Sequence, residues 1–275
     1  MAVLLRVAYD GTDFRGFARQ EGLRTVQGTL EGALSELYGE RVVIRGASRT
    51  DAGVHARGQI IAFDPPGKGP PPERVRMALW GLLPPDLEVS AGWEVEALDP
   101  RPLHPRRHNL GKHYRYRIRC TPQRDPLTHR FEWNFGRGLD LEAMRAGAAH
   151  FIGERDYASF RAAGCQSVST IRRIEVVDVG PRAVDPVAIA GDPGRAPDAK
   201  GAELLEINVH GSSFLMHMVR IMVGTLVEVG LGRMSPNGIA ALLAKPERKN
   251  AGPTAPAGGL TLMEVKWPTA WPPVD

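Results

Sequence analysis

The sequence predicts an α+β protein with two sheet-bearing halves, on three observations. Strand-like and helix-like runs are mixed along the chain without the strict alternation of a parallel βαβ protein. A proline-punctuated basic stretch, Asp99–His108 (DPRPLHPRRH), lies a little over a third of the way along, and a domain boundary is placed there between residues 104 and 105. The 275 residues suit one large domain or two medium ones, at roughly 100–200 residues each. The expected division is therefore 1–104 and 105–275.

Taken in order, Ala2–Tyr9 (AVLLRVAY) reads as a buried strand, and Asp10-Gly11-Thr12 as its turn. Thr25 is placed to cap a helix whose apolar positions Val26, Leu30, Ala33, Leu34 and Leu37 recur at helical spacing. Val42–Ala47 and Gly58–Phe63 read as strands, with Ser48–Gly53 as the loop between them. Asp64–Pro72 is a loop by composition, Pro72–Leu82 a helix and Leu87–Trp93 a strand. Beyond the boundary, Lys112–Cys120 alternates like a strand and Leu141–Phe151 is an amphipathic helix. Ile174–Val179 and Glu203–Val209 are strands around a Pro/Gly/Ala-rich excursion, Gly180–Gly201. Ser213–Val229 is a long apolar helix, Pro236–Leu243 a short one, and Gly259–Val265 the last strand.

Composition narrows the function classes. The 43% hydrophobic and 24% charged residues match an ordinary soluble globular chain. No run approaches the ~20 apolar residues of a membrane span, and the first residues lack a signal peptide's cationic start. Cys120 and Cys165 cannot build a disulfide scaffold or a four-thiolate metal site, which fits a reducing cytosol. Walker, G-x-G-x-x-G and H-E-x-x-H motifs are absent. The net charge is only +4, but lysine occurs only at 68, 112, 200, 245, 249 and 266, so arginine supplies the rest of the 35 basic residues. A GC-rich coding bias explains arginine in general; its planar fork, suited to phosphates and bases, makes its positions worth reading one by one.

Three stretches carry candidate chemistry. Ser48-Arg49-Thr50-Asp51-Ala52-Gly53-Val54-His55-Ala56 puts an arginine, a carboxylate and a histidine on one loop after an apolar strand. Such a loop either displays reactive groups on a rigid scaffold or is an Asp-x-Gly turn bonding its own backbone. Arg220 lies within the apolar run Phe214–Gly224. It either snorkels to a surface or pairs with a carboxylate, Asp51 being a candidate, and such a partner lowers a carboxylate's pKa. On the strand Lys112–Arg119, Tyr114, Tyr116 and Ile118 share one face and His113, Arg115, Arg117 and Arg119 the other. That is either a core side with a solvated side, or an aromatic and basic surface for nucleotides.

Together these segments resemble the tRNA pseudouridine synthase family. The matching stretches are Tyr9-Asp10-Gly11-Thr12-Asp13-Phe14-Arg15-Gly16-Phe17, Thr25 through Glu31, Arg49 through Ala56, Lys112 through Tyr116, Asp156 through Arg161 and Phe214 through Gly224. The resemblance implies two ferredoxin-like halves forming a continuous antiparallel sheet flanked by helices, with a central cleft. It implies isomerisation of uridine to pseudouridine at positions 38, 39 and 40 of the tRNA anticodon stem-loop, by a cytoplasmic homodimer without metal or organic cofactor. Asp51 then matches the nucleophile, Tyr114 the tyrosine that stacks on the base and handles a proton, and Arg220 the partner of the aspartate. Arg49 matches the arginine that holds the flipped nucleotide's place. Leu103, His104, Pro105, Arg106 and Arg107, and Gly164, Cys165, Gln166, Ser167 and Val168, fall where the family contacts tRNA. The chain departs from the family pattern at Gly16-Phe17-Ala18-Arg19-Gln20, where Gly-Trp-Gln-x-Gln is frequent, at Ser48 in place of a glycine, and at Leu103 in place of an aromatic.

Overall fold

The computed structural model describes residues 2–67, 69–95, 102–182 and 203–268. In chain order the elements are β1 (Ala2–Tyr9), α1 (Val26–Tyr38), β2 (Arg45–Gly46), β3 (His55–Phe63), α2 (Pro72–Trp80), β4 (Leu87–Val95) and α3 (Pro105–His108). There follow β5 (Gly111–Arg119), β6 (Trp133–Asn134), α4 (Leu141–Ala149), β7 (Gly153–Asp156) and β8 (Ile171–Arg182). β9 (Leu204–Gly211), α5 (Met218–Gly230), α6 (Pro236–Ala244) and β10 (Leu260–Lys266) complete the series. The class is α+β, as expected: mostly antiparallel sheet with flanking helices. Contacts divide the chain at Lys112/His113, and the segment from Thr261 returns to the first unit because β10 pairs with β3.

In the first unit the strand order is β4-β1-β3-β10. β1 is antiparallel to β3 and to β4, whereas β10 joins β3 in parallel. β1 is buried along nearly its whole length, which its run of Val, Leu and Ala allows. Thr25 caps α1 as expected, its hydroxyl accepting from the Gly28 N–H at 3.2 Å. Leu30 and Leu34 are fully buried beneath it, each contributing about 1.5–3 kcal/mol of apolar burial. Glu31 is also buried, held by Arg19 at 3.0 Å and the Gln27 amide at 2.8 Å.

Val42–Ala47 is not the strand its apolar alternation predicts: only Arg45–Gly46 pair, with β3. The reason lies in the backbone donors. Val42 N–H goes to Ser35 Oγ at 2.9 Å and Ile44 N–H to Glu31 Oε1 at 3.1 Å, so side chains of α1 replace ladder partners.

The second unit orders its strands β5-β9-β8-β7, with β6 beside β5. β8 runs antiparallel to both β7 and β9 and is longer than predicted at both ends. Its Ile174, Val177 and Val179 are buried, and α4 packs against it. The predicted helix Ser213–Val229 begins only at Met218, because His217 adopts a left-handed backbone with φ 61°. For a residue with a Cβ that conformation is unusual, and it ends the helix sharply on its N-terminal side. Arg220 therefore sits in the first turn of α5, not mid-helix. Most of the excursion Gly180–Gly201, like part of Asp99–His108, lies outside the described residues.

Candidate active site

Asp51 projects from the loop between β2 and β3, half-buried. The segment before it is fixed at several points. Gln59 of β3 is fully buried, and its amide brackets one residue: Oε1 accepts from the Ser48 N–H at 3.1 Å while Nε2 donates to the Ser48 carbonyl at 2.7 Å. The buried Thr50 hydroxyl lies 2.8 Å from the Tyr9 hydroxyl, and its carbonyl accepts from the Phe17 N–H at 3.0 Å. Beyond Asp51, the Gly53 N–H reaches the Phe14 carbonyl at 3.3 Å and the Val54 N–H reaches the Asp51 carbonyl at 3.1 Å.

Two glycines permit this approach. Gly16 has φ 94°, and a Cβ there would lie 3.1 Å from the Thr50 carbonyl oxygen. At Gly11 a Cβ would come within 2.0 Å of the Val54 carbonyl oxygen, which no side chain tolerates. The tyrosine–aspartate–glycine turn after β1 is thus the bed on which the Asp51 loop lies. Burial pushes the Tyr9 phenol up to about 12 against the opposing bonds to Thr50 and Gln59, so its proton stays in place across the physiological range.

His55, a candidate by composition, has a structural task. Its ring is buried, and Nδ1 meets the Gly11 N–H at 3.0 Å and Asp10 Oδ1 at 3.1 Å. It ties the turn after β1 to the start of β3. Arg49 is exposed beside this framework.

In the second unit β5 alternates as predicted. Tyr114, Tyr116 and Ile118 are buried, while His113, Arg115 and Arg117 are half-exposed. Tyr114 meets the Phe214 ring edge-on at 5.1 Å. Tyr116 donates its hydroxyl to the Pro256 carbonyl at 2.8 Å, and burial pushes its phenol far up against the opposing charge of Arg220. The Arg220 Nε donates to the Ala255 carbonyl at 2.8 Å, and its own carbonyl accepts from the Ala255 N–H at 3.1 Å. A cation in a helix's first turn opposes the helix dipole.

The other face of β5 is less available to nucleic acid than its arginines suggest. Glu206 of β9 accepts from Arg117 at 2.7 Å and from Arg182 at 2.7 Å, with Arg115 at 3.7 Å. Arg119 is buried against Glu132, an ion pair that carries its guanidinium into the interior. His113 stacks on His210 at 4.0 Å and shares a 2.8 Å hydrogen bond with Asn208. The face opposite the tyrosines is thus neither the solvated side nor the open nucleotide surface the sequence offered: most of its charges are paired within the sheet.

Of the segments expected at tRNA, Leu103 and Pro105 are buried, and the Leu103 carbonyl accepts from Arg45 Nε at 2.7 Å. Arg106 and Arg107 point outward from the short α3, and His104 caps it, accepting from the Arg106 N–H at 3.3 Å. Gly164, Gln166 and Val168 are exposed, with Cys165 and Ser167 half-exposed between them. Ser167 accepts from Arg172 at 2.9 Å. Gln59 and Tyr9 were not singled out by sequence reasoning. Among the described residues no group of three or more His, Cys, Asp or Glu is placed to hold a metal ion, and no helix is long and apolar enough to cross a membrane.

With this geometry in view, the comparisons with known proteins are specific. A family described as tRNA pseudouridine synthase matches residues 6–96 and 148–268. A tRNA pseudouridine synthase A of Geobacter sulfurreducens is 43% identical over 265 residues, covering 96% of this chain and 99% of that protein. The protein of the same name from Myxococcus xanthus is 43% identical over 262 residues, covering 95% of this chain and 90% of its own length.

Proposed function

The chain belongs to the tRNA pseudouridine synthase family, and from that premise we propose that it isomerises uridines 38–40 in the tRNA anticodon stem-loop with Asp51 as nucleophile. The activity is that of an isomerase acting on tRNA. The bond from uracil N1 to C1′ breaks and one from C5 to C1′ forms; a proton leaves C5 and one is taken up at N1. No redox partner or water is consumed. A positioned carboxylate supplies the transient covalent bond that holds base or sugar while the base turns over.

The observation that carries the reading is the Asp51 loop itself: a half-buried aspartate preceded by residues hydrogen-bonded to β1 and β3 and followed by Gly53, which is bonded to the Phe14 carbonyl of the turn after β1. Enzymes need this preorganisation for a group that must meet a reacting atom. Arg220 is taken as the partner of Asp51 on the family resemblance. Tyr114 stacks on the target base, and Arg49 takes the place the flipped nucleotide leaves; both offset the few kcal/mol of unstacking. Arg106 and Arg107 hold tRNA phosphates, with Leu103 and Pro105 anchoring them from the core and the Gly164–Val168 loop as a second contact. The working form is a cytoplasmic homodimer.

Tritium release from C5-labelled uridine in tRNA tests this. Asp51→Asn, which keeps the side-chain shape, abolishes release while tRNA binding persists, and Arg220→Met depresses it. Retained release by Asp51→Asn overturns the assignment.

A further inference from the structure

Apart from the groups that touch substrate, one buried polar cluster has no obvious reason to exist as packing alone. Gln59 lies in the apolar strand HARGQIIAF, where a leucine of similar volume is cheaper to bury. Its amide is instead spent on Ser48, on the Ile60 N–H at 3.2 Å and, more weakly, on the Tyr9 hydroxyl at 3.5 Å. The Tyr9 oxygen is the shared partner: Gln59 Nε2 donates toward it, and the Thr50 hydroxyl meets it at 2.8 Å. The chain of bonds runs Gln59 to Tyr9 to Thr50, and Thr50 is the residue bonded covalently to Asp51. A buried hydrogen-bond network of this kind specifies one arrangement and penalises others.

We propose that Gln59, Tyr9 and Thr50 are positioning residues for the reaction: they set the placement of the Asp51 carboxylate through the backbone at Ser48–Thr50. This rests on Asp51 being the nucleophile. All three side chains are buried, so the loss of the network lowers kcat and leaves KM for tRNA nearly unchanged. A displacement of about 1 Å at a reacting group costs up to a hundredfold in rate.

The test uses the full-length enzyme and tRNA, at a temperature well below each variant's thermal midpoint. Tyr9→Phe removes one oxygen and keeps the ring, and Thr50→Val removes the hydroxyl at constant shape. Both are expected to lose about tenfold or more in kcat with KM within about twofold, and Thr50→Ser recovers most of the loss. Wild-type kcat in Tyr9→Phe and Thr50→Val overturns the proposal, as does a loss that appears in KM instead. Asp51→Asn is assayed alongside. If Asp51→Asn turns over, the nucleophile reading fails; if it is inactive while Tyr9→Phe and Thr50→Val run at full rate, only the positioning role fails.

Discussion

At the scale of single residues, the two cysteines show how surroundings divide one chemistry into two behaviours. Burial pushes the Cys120 thiol up to about 11. At Cys165 burial also acts upward, but backbone hydrogen bonds from Ser167 and Met216 and the charges of Arg161 and Arg172 bring the thiol below its ordinary value. A thiolate-selective alkylating agent at neutral pH therefore labels Cys165 first and leaves Cys120 untouched, as peptide mass mapping reads directly. Bound tRNA slows that labelling if the Gly164–Val168 loop contacts it; equal labelling of both thiols contradicts the assignment of environments. The same scale explains what could be read in advance. Arg49, Asp51 and His55 stand within seven positions of each other, so their association needs no fold. Gln59 is a lone glutamine in an apolar strand. Its partner is the backbone of Ser48, 11 positions away, and no side-chain pattern announces a bond to a backbone.

At the scale of elements, existence was more legible than boundaries, because periodicity reports burial and ends report hydrogen bonds. Thr25 announces α1 by its own chemistry. The apolar alternation of Val42–Ala47 reports that Val42, Ile44 and Ala47 are buried, yet Ser35 and Glu31 take two of the backbone donors and most of the strand never pairs. Similarly, nothing in the composition of Phe214–Met218 marks the left-handed turn at His217 that delays α5. The short α3 depends on an acceptor with a titration of its own. Burial first, then the charges of Arg107, Arg45, Arg106 and His108, hold His104 below the ordinary histidine value. The unfolded chain then binds this proton more readily than the folded one. Neutral His104 stabilises the cap above about pH 6.5, and the contribution is lost as pH falls through the lower folded value. Protection of the Arg106 amide, its exchange measured against the intrinsic rate, is expected to fall on acidification below that range, and His104→Gln, which keeps an acceptor, flattens the dependence. Exchange insensitive to pH beyond its intrinsic slope contradicts it.

At the scale of the molecule, the net charge of +4 conceals how the arginines are used. Arg117 and Arg182 are committed to Glu206, Arg119 to Glu132, Arg45 to Asp64 and Arg24 to Asp86. Arg49, Arg106 and Arg107 instead face solvent, two on one short helix and one beside Asp51. The basic run therefore divides by partner rather than by residue type, a division that depends on β9 supplying Glu206 from far along the chain. In the proposed function these exposed arginines hold tRNA while the Asp51 carboxylate converts particular uridines. The decisive experiment is mass-spectrometric mapping of pseudouridine in unmodified tRNA after incubation with the wild-type enzyme and with Asp51→Asn. Pseudouridine is expected at positions 38–40 alone with the wild-type enzyme and nowhere with Asp51→Asn. Pseudouridine at other positions, or formed by Asp51→Asn, would contradict that function.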